Sequence, residues 1–168
     1  LEESLNIATA LNHDDLLCEV HNAIGGLNLD KGQLDLARSH FQLAIDNPAR
    51  GADARWQAGL LGNLALAEHQ SGNLASAELH YQQALTMIQL AGDHRWESNT
   101  RCNLGMLLFE NGRADDAERH WREALGMAIG IGYLKVQGAI HCNLAIAMAK
   151  RADYSASRLG FQEAVKIA

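Results

Sequence analysis

Asn103-Leu104-Gly105, followed by Asn111-Gly112 and then by Ala117-Glu118-Arg119-His120-Trp121-Arg122-Glu123-Ala124-Leu125, decides the reading of this chain. Forty residues earlier the same order returns as Asn63-Leu64-Ala65, Ser71-Gly72, Ala77 to Tyr81 and Ala84-Leu85. Forty residues later it returns as Asn143-Leu144-Ala145, Phe161 and Ala164-Val165. A first copy reads Ile24-Gly25, Gly32, Ala37, Phe41 and Ala44-Ile45. Within each copy the apolar residues follow helical spacing, and a glycine or a polar pair interrupts them once. The chain therefore reads as a tandem array of one helix–turn–helix unit, an all-α right-handed solenoid of antiparallel helix pairs.

Working outward, residues 1–12 read as the tail of a preceding repeat, with Asn12 as a left-handed cap. Repeat 1 spans 14–51, repeat 2 spans 53–92, repeat 3 spans 93–132, and repeat 4 spans 133–168 and is truncated. The helices are expected near 14–30, 34–47, 53–70, 74–91, 93–110, 114–131 and 133–150, with a last one from Tyr154. Pro48 and Gly51 predict a looser connection after the first unit. Leu1 falls in the column of Phe41, Tyr81, Trp121 and Phe161, so the chain opens partway through a second helix. The spacing thus predicts one solenoid domain cut from a longer protein.

Composition excludes other classes. The 168 residues are 48% apolar with one proline, against both disorder and a β-rich fold. The charge of −6 comes without a basic stripe, so direct nucleic-acid binding is not expected. No apolar run is long enough to span a membrane. The three cysteines, Cys18, Cys102 and Cys142, form no Cys-x-x-Cys and read as reduced thiols of a cytoplasmic protein. Neighbouring first helices are expected to hold Cys102 and Cys142 beyond the Cα separation of about 4.4–6.8 Å that a disulfide needs.

Two small-residue columns have a mechanical reading. Gly25, Ala65, Gly105 and Ala145 recur on the first helices. Ala37, Ala77, Ala117 and the set Ala44, Ala84, Ala124, Ala164 recur on the second. Small side chains admit close backbone approach, and the column Phe41, Tyr81, Trp121, Phe161 fills the space between units. Glycine inside a helix costs about 0.5–1 kcal/mol relative to alanine, so Gly25 and Gly105 make sense where a larger group would clash.

These columns resemble the tetratricopeptide repeat, whose signature runs Trp-x2-Leu-Gly-x2-Tyr, then Ala-x3-Phe, then Pro. The third unit carries Leu104-Gly105 and Ala117-x3-Trp121; the first carries Ile24-Gly25 and Ala37-x3-Phe41. The leading Trp and the Tyr are missing, and the period is 40 rather than the usual 34 or so. In that respect the chain is similar to the long-helix repeats of kinesin light chain, Pins-type adaptors and bacterial repeat-containing regulators. The resemblance implies that Asn63, Asn103 and Asn143 face a concave groove and contact the backbone of a bound peptide. The first unit departs from this, with Ala23 in the column and Asn22 one residue early.

Residues spaced 4, 3, 4 share one helix face. That face collects Gly59, Asn63, Leu66 and Gln70, then Asn99, Asn103, Met106 and Glu110, then Ala139, Asn143, Ile146 and Lys150. His69, Phe109, Cys102 and Cys142 lie one step over. The expected peptide-binding residues are Asn63, Asn103, Asn143, Leu66, Met106, Ile146, Gln70 and Phe109. An Asn carboxamide offers donors and an acceptor, and so suits a peptide backbone of any sequence. The competing reading of the Asn column is structural, satisfying polar groups between neighbouring helices. A clamp for a C-terminal carboxylate would need Lys or Arg on this face, where Asn, Cys and Gly stand.

No catalytic motif is present, so an enzyme is not expected, and neither is a cofactor or metal. His40, His80 and His120 form a column, but helices stack about 8–10 Å apart and zinc needs each nitrogen at about 2.0–2.1 Å. These read as surface histidines. Asp115, Asp116, Glu118 and Glu123 read as a solvated helix surface. Trp56 and Trp96 read as packing between repeats or, alternatively, as an edge for a partner. The expected function is a protein- or peptide-binding scaffold. Two alternatives are an effector-sensing module of a larger bacterial signalling or transcription protein, and a self-association module pairing through its exposed ends.

Overall fold

The computed structural model describes residues 2–10, 13–47 and 53–167, without the side chains of residues 2 and 4. Asn12 and the Pro48–Gly51 connection lie outside the described residues. Among the described residues there are nine α-helices and no strand: α1 Glu2–Ala10, α2 Asp14–Asp30, α3 Leu34–Ile45, α4 Ala54–Gln70, α5 Leu74–Ala91, α6 His94–Glu110, α7 Ala114–Gly130, α8 Leu134–Lys150 and α9 Tyr154–Ile167. The chain divides into two compact units, 1–91 and 92–168. In the first, α2 packs on α3, α3 on α4 and α4 on α5, with α1 beside α2. In the second, α6 packs on α7, α7 on α8, α8 on α9, and the first helices α6 and α8 also touch. Among the described residues no helix is long and apolar enough to cross a membrane.

Local chemistry sets the helix boundaries. Asp53 and Asp93 are N-caps: each accepts a hydrogen bond from the backbone N–H three residues on, Trp56 and Trp96, at 3.1 Å. Asp153 does the same for Ala156 at 3.0 Å. The ends are left-handed glycine turns, with φ between 66° and 81° at Gly32, Gly72, Gly92, Gly112 and Gly132. At four turns inside the units, the residue after the glycine donates back across the turn: Gln33 to Asn28, Asn73 to Glu68, Arg113 to Leu108 and Tyr133 to Ala128, at 2.8–2.9 Å. Such wrap-around bonds satisfy carbonyls the helix would otherwise leave open. Helix α3 stops at Ile45 rather than Asn47, because Asp46 closes it with an N–H to Gln42 O.

Ala152 occupies the same turn position as the glycines but carries a Cβ at φ 60°. An L-residue pays roughly 1–2 kcal/mol there that glycine does not. Ala152→Gly is therefore expected to stabilise residues 92–168 by up to about 1 kcal/mol, after the entropy glycine adds to the unfolded chain. A higher melting temperature in scanning calorimetry checks this; an unchanged or lower one means the turn carries no strain.

The core follows the columns. Phe41, Tyr81 and Trp121 are 0% exposed, as are Ala37, Ala77 and Ala117. A Cβ built on Gly25 meets the Phe41 ring at 2.6 Å, and one on Gly105 collides with the Trp121 indole. The glycines are thus seats for the aromatic rings. Trp121 also donates its Nε1–H to Cys102 O at 3.1 Å, fixing the ring over Gly105. In the last hairpin the close approach is reversed: Gly160 on the second helix admits Ala145, whose Cβ lies 2.9 Å from a Cβ built on the glycine.

Candidate functional site

The Asn column lies on first helices and each described member has a definite setting. Asn63 on α4 is half-buried and donates from Nδ2 to Asn22 Oδ1 on α2 at 3.1 Å. Asn143 on α8 is buried and donates from Nδ2 to Cys102 Sγ on α6 at 3.6 Å. Both bonds join residues 41 apart, so the carboxamides reach back to the preceding first helix by the same geometry in both units. Asn22, which breaks the column by one residue, is the acceptor in the first of these bonds. Burial pushes the Cys102 thiol up to about 12, against the smaller opposing effect of its bond to Asn143. Asn103 on α6 is half-buried.

Around these amides the surface is aliphatic. Leu66 and Met106 are half-buried, Ile146 is 40% exposed, and Gln70 is exposed at the end of α4. Phe109 lies in the interior at 8% exposure, its ring 5.5 Å from Trp121. Lys150 places its ammonium 4.2 Å from the Phe109 ring centre, a cation–π contact. The unit 92–168 therefore brings Asn103, Met106, Asn143 and Ile146 onto neighbouring first helices. The unit 1–91 carries Asn63, Leu66 and Gln70 on α4, next to Asn22 of α2.

The histidine column has chemistry that periodicity did not indicate. His40 Nδ1 lies 3.0 Å from His21 Nδ1, His80 Nδ1 lies 2.7 Å from Glu68, and His120 lies 3.4 Å from Arg101. Burial, then the charge of His40, holds His21 below the usual histidine range. Burial, then Arg119 and Arg101, lowers His120. All three column members are half-buried and bonded within their own hairpin. Among the described residues no group of three or more His, Cys, Asp or Glu is placed to hold a metal ion. The three cysteines are free thiols.

One expectation about side-chain setting changes. Glu118, read as solvated, is buried and paired with Arg122 at 2.9 Å and Arg151 at 2.5 Å. Arg101 is buried between Glu97 at 2.9 Å and Glu123 at 2.5 Å. Trp56 packs on the cluster Cys18, Ala44 and Leu60, and donates its indole N–H to Cys18 Sγ at 3.0 Å. Its column partner Trp96 stays 39% exposed.

The sequence matches the family model for the tetratricopeptide repeat over residues 16–90 and again over 56–130. No curated protein matches it. Among solved structures, the chain is similar to BtubC (BKLC) from P. vanneervenii, with 19% identity and a TM-score of 0.81 over 99% of this chain and 68% of that one. It is also similar to MamA, with 15% identity and a TM-score of 0.64 over 96% of this chain and 82% of the other. At these identities the likeness concerns the fold. The family match spans more than half of the sequence, with a repeated hairpin in both units: the chain belongs to the tetratricopeptide repeat family.

Proposed function

We propose that this chain is a polypeptide-binding scaffold, and that the ligand lies along the first helices against the Asn-bearing face. Repeats of this family are, in general, protein-interaction scaffolds. The observation that carries the reading recurs within each unit by itself: a half-buried carboxamide one helical turn from a half-buried apolar residue, Asn63 and Leu66 on α4 in the first, Asn103 and Met106 on α6 in the second. Asn63 spends one N–H on Asn22 and keeps a second N–H and further acceptor capacity for a ligand backbone. The thioether of Met106 adapts to ligand side chains of differing shape. Asn143 acts partly by holding α8 to α6, with Ile146 beside it as the apolar contact.

A displayed random-peptide library selected on the intact chain tests this. Peptides recovered on the parent chain are expected to lose at least about tenfold in affinity for the Asn63→Ala/Asn103→Ala/Asn143→Ala variant, since each lost amide bond is worth about 0.5–1.5 kcal/mol. Helix content, followed by circular dichroism, is expected to stay unchanged. Undiminished affinity in a folded triple variant sinks the proposal.

A further inference from the structure

His21 of α2 and His40 of α3 meet across the first hairpin, with their Nδ1 atoms 3.0 Å apart. The ring centres are 5.2 Å apart, which is that gap plus one ring radius on each side, so the two nitrogens point at each other. A zinc ion would need both lone pairs aimed at a common point about 2.0–2.1 Å from each nitrogen. The head-on arrangement has room for a proton instead. One ring donates its Nδ1–H and the other accepts at Nδ1. A first extra proton goes to the outer Nε2 of the donating ring and leaves this bond in place. A second has only the accepting Nδ1 to go to, where it sets two cationic N–H groups against each other.

The first hairpin holds no anion to offset that second charge. One turn to either side of the pair both helices carry uncharged residues, Leu17 and Ile24 on α2 and Leu36 and Leu43 on α3 among them. Other repeats are built differently at these places. Arg101 stands in the column of His21 and is neutralised by Glu97 and Glu123, in the columns of Leu17 and Leu43. His80 stands in the column of His40 and is paired with Glu68, in the column of Asn28. Of the charged groups on the packed elements, Glu3 of α1 is exposed and Arg38 of α3 is bonded to Asp35 at 3.3 Å. On α4, Arg55 reaches Ala91 O, Glu68 is bonded to Ser76 and His80, and His69 is half-buried. Burial and then the charge of His40 are what lower His21.

We propose that the His21–His40 contact is an acid-released latch, which holds α2 to α3 while the rings share one bridging proton and opens when both rings are cations. Its neighbours give the opening a consequence. Phe41, next to His40, lies over Gly25, and Asn22, next to His21, accepts the Asn63 amide. Release of the hairpin frees both. The sign follows from proton counting. The closed pair takes up one extra proton and the open hairpin two, so the latch is whole above the ordinary histidine range of about 6.5 and weakens as pH falls below it.

Amide exchange of the intact chain between pH 7.5 and 5, corrected for the intrinsic exchange chemistry and read by mass spectrometry over α2 and α3, tests it. Protection there is expected to fall about tenfold per pH unit below about 6.5, the effect of one proton. His21→Leu, which copies Leu61 of the next repeat, is expected to keep its helix content and lose this pH dependence. Leu43→Glu, at a position 49% exposed, puts a carboxylate where Glu123 stands and is expected to restore protection at pH 5. Should His21→Leu fail to fold, Leu43→Glu alone decides. Protection of the parent chain that ignores pH, an unchanged slope in folded His21→Leu, or an unchanged slope in Leu43→Glu would each overturn the proposal.

Discussion

Trp121→Ala is expected to destabilise residues 92–168 by about 3–5 kcal/mol, the usual cost of removing a fully buried large aromatic side chain. The ring is 0% exposed, packs on Phe109 and sits directly over Gly105. The glycine has no side chain with which to fill the vacated space, so the cavity cannot collapse cheaply. The indole bond to Cys102 O is lost as well, though its net worth is only about 1 kcal/mol. Set against the roughly 5–15 kcal/mol stability of an ordinary domain, this one change brings the unit close to unfolding. Urea denaturation followed by helix content and amide exchange measures it. A loss under about 1 kcal/mol would mean that the aromatic column does not hold the hairpins together.

The second large effect concerns the buried ion pair. Arg101→Leu alone takes the nearer cation from the Glu97 carboxylate, 5% exposed, leaving His94 at 3.7 Å, and is expected to cost up to about 3–5 kcal/mol. The preceding repeat shows how the same place is built without charge, with Gln57 and Leu61 in the columns of Glu97 and Arg101. Glu97→Gln/Arg101→Leu is therefore expected to recover most of the loss, since replacing both members of a buried pair is often close to neutral. Equilibrium denaturation of the two variants decides it. A double variant as unstable as the single one would show that the Arg101 bond to Glu123, not the Glu97 pair, carries the stability.

Much of the fold was legible because a repeat places the same residue in the same setting several times. The Gly-Phe and Gly-Trp pairs at 25/41 and 105/121 could be read from spacing, as could the turn glycines and most helix ends. Periodicity locates a residue on its own helix but does not say what lies across from it. Phe109 shares a column with the half-buried Leu29, His69 and Ala149, yet its ring is interior because Trp121 lies on one side and Lys150 on another. The reach of Asn63 to Asn22 and of Asn143 toward Cys102 depends on an offset of 41, one residue beyond the repeat, which alignment by 40 hides. Likewise the burial of Glu118 depends on Arg151, which comes from the next repeat and not from its own helix.

Photo-crosslinking tests the functional reading most directly. A selected peptide carrying a benzophenone side chain is allowed to react with the intact chain, and the attachment points are found by mass spectrometry. The account predicts adducts on Met106, Leu66 or Ile146, on the Asn-bearing side of the first helices. Adducts confined to the second helices, for example at the exposed Leu79 and Leu159, would contradict it.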